Sequence, residues 1–353
     1  MPTIVSKISK YTSMLFSRTK IAFDIGTSMT RIGIEDKGIV LREPTFVGQN
    51  TRSNELIFYG TDAKEIYGKA PGYIKVIKPI ENSIISDFDA TVYLVQEFLK
   101  KAVYPYYAKS FIKQGLEAYA VVPTSSTEVE QKALIEALIK AGCHKTHLIE
   151  KPLATAYGAG LPIFGHKPIF IIDLGAGTIE ATIIIMGGIV ASKVLKLGGD
   201  HMDKLIYNYL HLKYGLVIGE QTAEHLKIKL YNLKDQKDML PTRGKSLENG
   251  LPKSVRVTST DIQEALSVPL NQIVDGVKEL IESAPPEIID GMIKSGVTLA
   301  GSLAYIPGID KYIANDIKIP VNIASKPEDS TILGLMKIMK DEENLKKIII
   351  NRS

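Results

Sequence analysis

A chain of 353 residues, 45% hydrophobic and 23% charged, is globular in composition and long enough for two domains of ordinary size. Its 43 basic and 39 acidic residues leave a net charge of +4, too slight an excess to point to nucleic acid as a partner. The single cysteine, Cys143, excludes an intramolecular disulfide framework, suits a reducing compartment and reads as a small buried hydrophobe.

No apolar run reaches the roughly 18–20 residues that a membrane-spanning helix needs. Residues 1–19 lack the continuous apolar core and small-residue cleavage site of a signal peptide. Within them Ile4, Val5, Ile8, Tyr11, Leu15 and Phe16 recur at helical spacing, with Lys7, Lys10 and Arg18 between. That pattern makes a basic amphipathic helix suited to a membrane interface; a leader or a helix docked on the body is the alternative.

From residue 20 the pattern changes to short strand-like runs, 21–23 and 31–34, around the turn Asp24-Ile25-Gly26-Thr27-Ser28. Residues 50–68 are polar and turn-rich. Helical periodicity follows over 89–101, then a buried strand over 118–123 and a helix over 126–141, opened by a Ser-Ser-Thr cap with Glu128 and Glu130 in its first turn. A second strand–turn–strand covers 169–186, its turn reading Asp173-Leu174-Gly175-Ala176-Gly177-Thr178. Two such units suggest a duplicated α/β architecture with one turn in each lobe. The polar stretch 233–252 reads as surface loops, 298–301 as a third apolar run ending in Gly301, and 337–352 as a basic, mostly helical tail.

Each Asp-led turn carries chemistry. Its glycines let backbone approach phosphate oxygens, and successive N–H groups form an anion nest. Thr27, Ser28 and Thr178 add hydroxyls, while Asp24 and Asp173 are placed to hold Mg²⁺ through water. One such turn is a weak signal; two of them, a domain apart and each between strands, are a stronger one. Neither a Walker A pattern nor a Gly-x-Gly-x-x-Gly after the first strand is present, which disfavours P-loop and Rossmann readings. His144 and His147 have metal-like spacing without an acidic or Cys cluster, and read as a solvated helix end.

The two turns resemble the phosphate motifs of the actin, Hsp70 and sugar-kinase superfamily. The segments around and after them resemble the MreB family of bacterial actins. These include 38–44, Ser86-Asp87-Phe88-Asp89, Val122-Pro123, Leu148-Ile149-Glu150, Pro152-Leu153-Ala154, 187–190, 198–203 and 218–224, so that the likeness runs over about 20–339. It implies an α/β, two-lobed actin-like fold, each lobe a mixed sheet flanked by helices, with a nucleotide cleft between. The divisions it implies are a first large subdomain (20–42, 87–155 and 331–353) with a small one (43–86), and a second large subdomain (156–193 and 259–330) with a small one (194–258). The N-terminal segment 1–19 precedes them.

The resemblance further implies ATP or ADP with Mg²⁺ as cofactors. Gly198, Gly199 and Asp200 would be among the nucleotide-binding residues, with Glu224 and Lys227 at the ribose. Gly301-Ser302-Leu303 would lie at the adenosine, where the family has three glycines. It implies homopolymer filaments, as paired protofilaments, as the main partner, with a lipid surface and MreB paralogues as further ones. The place implied is cytoplasmic, peripheral at the inner face of the cell membrane. A second membrane candidate is the Tyr-rich loop with Tyr104, Tyr106 and Tyr107, where the family carries a hydrophobic loop. The chain departs from the family at Lys151, where a Glu would orient the attacking water. A charged Lys has no acceptor for a water proton, so slow hydrolysis is expected even with Thr178 retained; the alternative leaves Lys151 in solvent and Glu150 positioning water. Arg31, where the family usually has an apolar residue, reads as an exposed strand residue, with a reach to the nucleotide as the alternative. A small-molecule kinase is the runner-up function; it lacks an evident base and substrate pocket. An Hsp70-like chaperone ATPase is a third reading, disfavoured because no substrate-binding domain follows.

Overall fold

The computed structural model describes residues 19–107, 115–234 and 237–350. Each Asp-led turn sits in its own five-stranded sheet. The first sheet runs Gly38–Pro44, Met29–Ile34, Thr19–Ile25, Leu116–Val122, Cys143–Glu150. Its first three strands pair antiparallel and the last two join parallel. The second sheet runs Gly188–Leu195, Ile179–Ile185, Ile169–Leu174, Val297–Ala300, Val321–Ile323, with the same pattern of directions. The architectural unit therefore occurs twice, and equivalent positions can be compared. In the first sheet Asp24 stands opposite Arg31; in the second Asp173 stands opposite Glu180.

The local chemistry explains these elements. Ile169–Leu174 is buried at every residue, which matches its unbroken apolar run. Helix Glu128–Lys140 opens on a capping box in which Thr127 accepts from the Glu130 amide and Glu130 answers the Thr127 amide. Helix Phe88–Ala102 opens on Asp87, and Ser259–Ser283 on a second capping box between Thr258 and Asp261. Each lobe has its own buried core, and a third cluster lies where the lobes meet, joining Ala22, Ile149, Ala154, Ile171, Ala300, Ile332 and Leu335. At that junction helices Lys151–Gly158 and Ser330–Ile338 cross in backbone contact. A Cβ on Gly158 would stand 1.7 Å from the Ser330 carbonyl oxygen, and one on Gly334 1.7 Å from that of Ala154. Only glycine permits so close a crossing.

Two expectations need correction here. Residues 233–252 are not all surface loop: Met239–Ser246 is a strand, paired antiparallel with Pro252–Thr258. Pro241 and Gly244 hide it from a propensity reading, and only Thr242 and Ser246 of it are buried. His144 and His147 lie on a strand rather than at a helix end, and His147 is buried, 2.6 Å from Glu117 and stacked on Tyr119. The four N-terminal membrane candidates Ile4, Ile8, Leu15 and Phe16 lie outside the described residues. Tyr104 and Tyr107 bound a short helix, on which Tyr106 is exposed. Cys143 is buried and free. Among the described residues no helix is long and apolar enough to cross a membrane.

Candidate functional site

The two turns meet face to face. A Cβ on Gly177 would stand 2.3 Å from the Thr27 hydroxyl oxygen, so the second turn packs directly on the first. Each turn closes on itself the same way, Gly26 donating to the Met29 carbonyl and Gly175 to that of Thr178, both at 3.1 Å. The amides of Thr27 and Ser28, and of Ala176 and Gly177, donate no backbone hydrogen bond among the described residues. They are left for an anion. Ser83 bridges the turns, its amide donating to the Thr27 hydroxyl at 3.0 Å and its own hydroxyl lying 2.9 Å from that of Thr178.

Between the turns lies a cavity of about 290 Å³, at the small end of the range for ligand sites. Asp24, Gly26, Thr27, Ser28, Asp173, Gly175, Ala176, Gly177, Lys151, Gly199, Asp200, Glu224, Lys227, Gly301, Ser302 and Leu303 all line it. Gly198, Thr178 and Glu150 do not. Gly198 packs under Ala176, where a Cβ would stand 2.4 Å from the carbonyl oxygen. The amides of Gly199 and Asp200 are committed to the carbonyls of Gly175 and Ala176, so this helix start braces the second turn. Glu150 is the N-cap position before the helix of Lys151, and burial pushes its carboxyl above the usual range.

Gly301 shows why one glycine of that motif remains. Its φ is +84°, and a Cβ there would stand 2.5 Å from the Asp173 carboxylate and 2.4 Å from the Leu174 carbonyl oxygen. Ser302 and Leu303 follow in a short 3₁₀ turn, and Leu303 also joins the second lobe's core. Lys227 is buried, donating to the Gly199 carbonyl at 2.7 Å and standing 2.8 Å from Asp203. Burial raises the Asp203 carboxyl to about 6 against the pull of Lys227. Glu224 reaches across the cleft to Lys64 at 3.0 Å, Glu220 to Tyr67 at 2.7 Å, and Asp200 to Lys78 at 3.3 Å. Gln221 also donates to the Lys64 carbonyl. These contacts roof the cavity.

The floor is the informative part. Lys151 does not point to solvent: its ammonium stands 2.6 Å from Asp173, an ion pair off the hydrogen-bond axis. Burial works to lower its pKa, but the charges of Asp173 and then Asp24 outweigh this and hold it firmly protonated. Arg31 is not an exposed strand residue. It lines the cavity, 3.6 Å from Asp24 and 3.1 Å from Asp329, which Arg42 also grips with two nitrogens at 2.7 and 3.2 Å. Sequence periodicity did not reveal Asp329 or Glu180. Glu180, buried behind Asp173, accepts from the Thr124 amide at 2.9 Å, and its Oε2 has no hydrogen-bond partner. Burial raises both Asp24 and Glu180 above the ordinary carboxylate range. A divalent cation fits this floor poorly. The carboxylates expected to hold it through water already face one fixed cation each, while Mg²⁺ keeps several waters in a near-octahedral shell.

A fold of this kind and a cleft of this make-up have counterparts among known proteins. The chain matches the family model described as MreB/Mbl protein over residues 18–347. It is 34% identical to the cell shape-determining protein Mbl of Bacillus subtilis over 94% of this chain and 99% of that one. It is 34% identical to the cell shape-determining protein MreB of Escherichia coli over 87% and 89% of the two chains. The crystal structure of MreB 5 of Spiroplasma citri bound to AMPPNP superposes with a TM-score of 0.87 at 30% identity, covering 94% of this chain and 99% of that one. The chain belongs to the MreB/Mbl family of actin-like cytoskeletal proteins.

Proposed function

We propose that this protein is an ATP-binding bacterial actin whose filaments lie on the inner face of the cell membrane and act in cell shape, or in helicity and motility in a cell without a wall. Gly26–Ser28 and Gly175–Gly177 hold the phosphates, Glu224 and Lys227 the ribose, and Gly301–Leu303 the adenosine. Two facing turns with free amides support this assignment, as does the AMPPNP named with the Spiroplasma relative. The segment 1–19 and the loop of Tyr104, Tyr106 and Tyr107 are the membrane contacts, and other copies or paralogues of this chain are the filament partners.

Hydrolysis is slow. The observation that carries this is the Lys151 ammonium ion-paired to Asp173 on the cavity floor. A protonated amine has no lone pair to take a proton from attacking water, and Lys151 occupies the place from which a carboxylate would do so. Thr178 does not compensate, because a neutral hydroxyl is no carboxylate base. A small-molecule kinase is not favoured, since family membership points to a filament.

Phosphate release and pelleting with ATP, with and without anionic liposomes, test the reading. Sedimenting polymer with little phosphate release, and more sediment with liposomes, is the expected result. Lys151→Glu should raise release by about tenfold or more, the scale of a positioned base. Brisk release by the unaltered chain would overturn slow hydrolysis, failure of liposomes to increase sediment would overturn the membrane assignment, and no polymer in any nucleotide would overturn the filament.

A further inference from the structure

We infer that this cleft binds its nucleotide without a divalent cation, Lys151 and Arg31 supplying the positive charge that a metal would otherwise bring. The inference rests on the nucleotide-binding reading above. Two carboxylates, Asp24 and Asp173, line the cavity from the central strands of the two sheets. Each is matched by a cation that lines the same cavity: Arg31 at 3.6 Å from the first and Lys151 at 2.6 Å from the second. Two negative charges thus meet two positive ones, the balance that one divalent ion would give. Arg31 also donates to Asp329 at 3.1 Å, but Arg42 brings a second cation to that carboxylate, so three acids (Asp24, Asp173 and Asp329) meet three bases (Arg31, Arg42 and Lys151).

Both cations are held in place by the fold. Arg31 is the register partner of Asp24 on the adjacent antiparallel strand. Lys151 is the first residue of a helix that starts directly after the edge strand Cys143–Glu150, with Pro152 in its first turn. Neither side chain has to be ordered when the ligand arrives. Guanidinium and ammonium groups are both strong phosphate partners, the first as a fork and the second as a point charge. A hydrated Mg²⁺ would have to displace the Lys151 ammonium from Asp173 while standing next to another positive charge. A metal-free polyphosphate, by contrast, meets two cations already fixed on the cavity floor and four turn amides that donate no backbone hydrogen bond among the described residues.

The test is the affinity of the full chain for a fluorescent ATP analogue, read by anisotropy in excess EDTA and in millimolar Mg²⁺. The expected result is a Kd that changes by less than about threefold between the two, whereas a site coupled to its metal shifts by about tenfold or more. A loss of that size in EDTA would overturn the inference and leave nucleotide binding intact. No binding in either buffer would overturn the nucleotide reading itself. In Lys151→Met, which keeps the aliphatic stem, affinity should fall in EDTA and recover with Mg²⁺. Equal weakening in both buffers would mean that Lys151 binds phosphate without replacing the metal, and would also overturn the inference.

Discussion

The two halves of this molecule share a plan and differ in charge. Both hang an Asp-led turn from a central strand, and both set another residue directly opposite that Asp on the neighbouring antiparallel strand. In the first half that residue is Arg31; in the second it is Glu180. The first half therefore neutralises its own carboxylate, helped by the Arg42–Asp329 pair beside it. The second half doubles the negative charge, and the cation it needs comes from Lys151, at the helix that leads out of the first sheet. A duplicated backbone has been filled with unequal chemistry, and the asymmetry makes the second turn dependent on a residue from outside its own sheet.

The sharpest way to break the comparison is to remove that cation. Lys151→Met should leave Asp173 and Glu180 buried without a counter-charge and cost about 3–5 kcal/mol, the scale for losing one partner of a buried pair. Urea unfolding in EDTA would measure it, and a loss under 1 kcal/mol would mean that the second half does not depend on Lys151 (threshold about one surface pair). Next in size is the junction on which both halves lean. Gly334→Val drives a side chain into the Ala154 carbonyl and should cost about 3 kcal/mol, the upper part of the overpacking range, seen as a lower melting temperature. Arg31→Met tests the self-sufficient half. Because Arg42 keeps Asp329 paired, the loss should be smaller than at Lys151, about 1–2 kcal/mol in the same urea assay. Smallest is the roof: Lys64→Ala removes a half-exposed ion pair to Glu224 and should change stability by less than about 1 kcal/mol. Its effect should appear instead as faster release of bound nucleotide in stopped flow, since the pair ties together the two walls of the cleft.

The same contrast governs what was legible beforehand. The two turns could be read because an Asp, the glycines and the hydroxyls are consecutive in the chain, and such turns are local structures. The cap at Thr127 and the strand Ile169–Leu174 were legible for the same reason. Lys151 stood out as a departure from the family, although its partner did not. Arg31 was misread as exposed because period-two alternation says which face of a sheet a residue takes and not whether that face borders a cleft.

Sequence alone determined the α/β class, the duplicated turn and the family, since each rests on residue order, apolar periodicity or short motifs. Tertiary structure alone decided how charge is arranged on the cavity floor. Arg31 and Arg42 meet Asp329 across 298 and 287 residues, and Thr124 meets Glu180 across 56. Local propensity carries no record of such pairs, because the energy that selects them comes from burying opposite charges together once the two sheets have closed on each other.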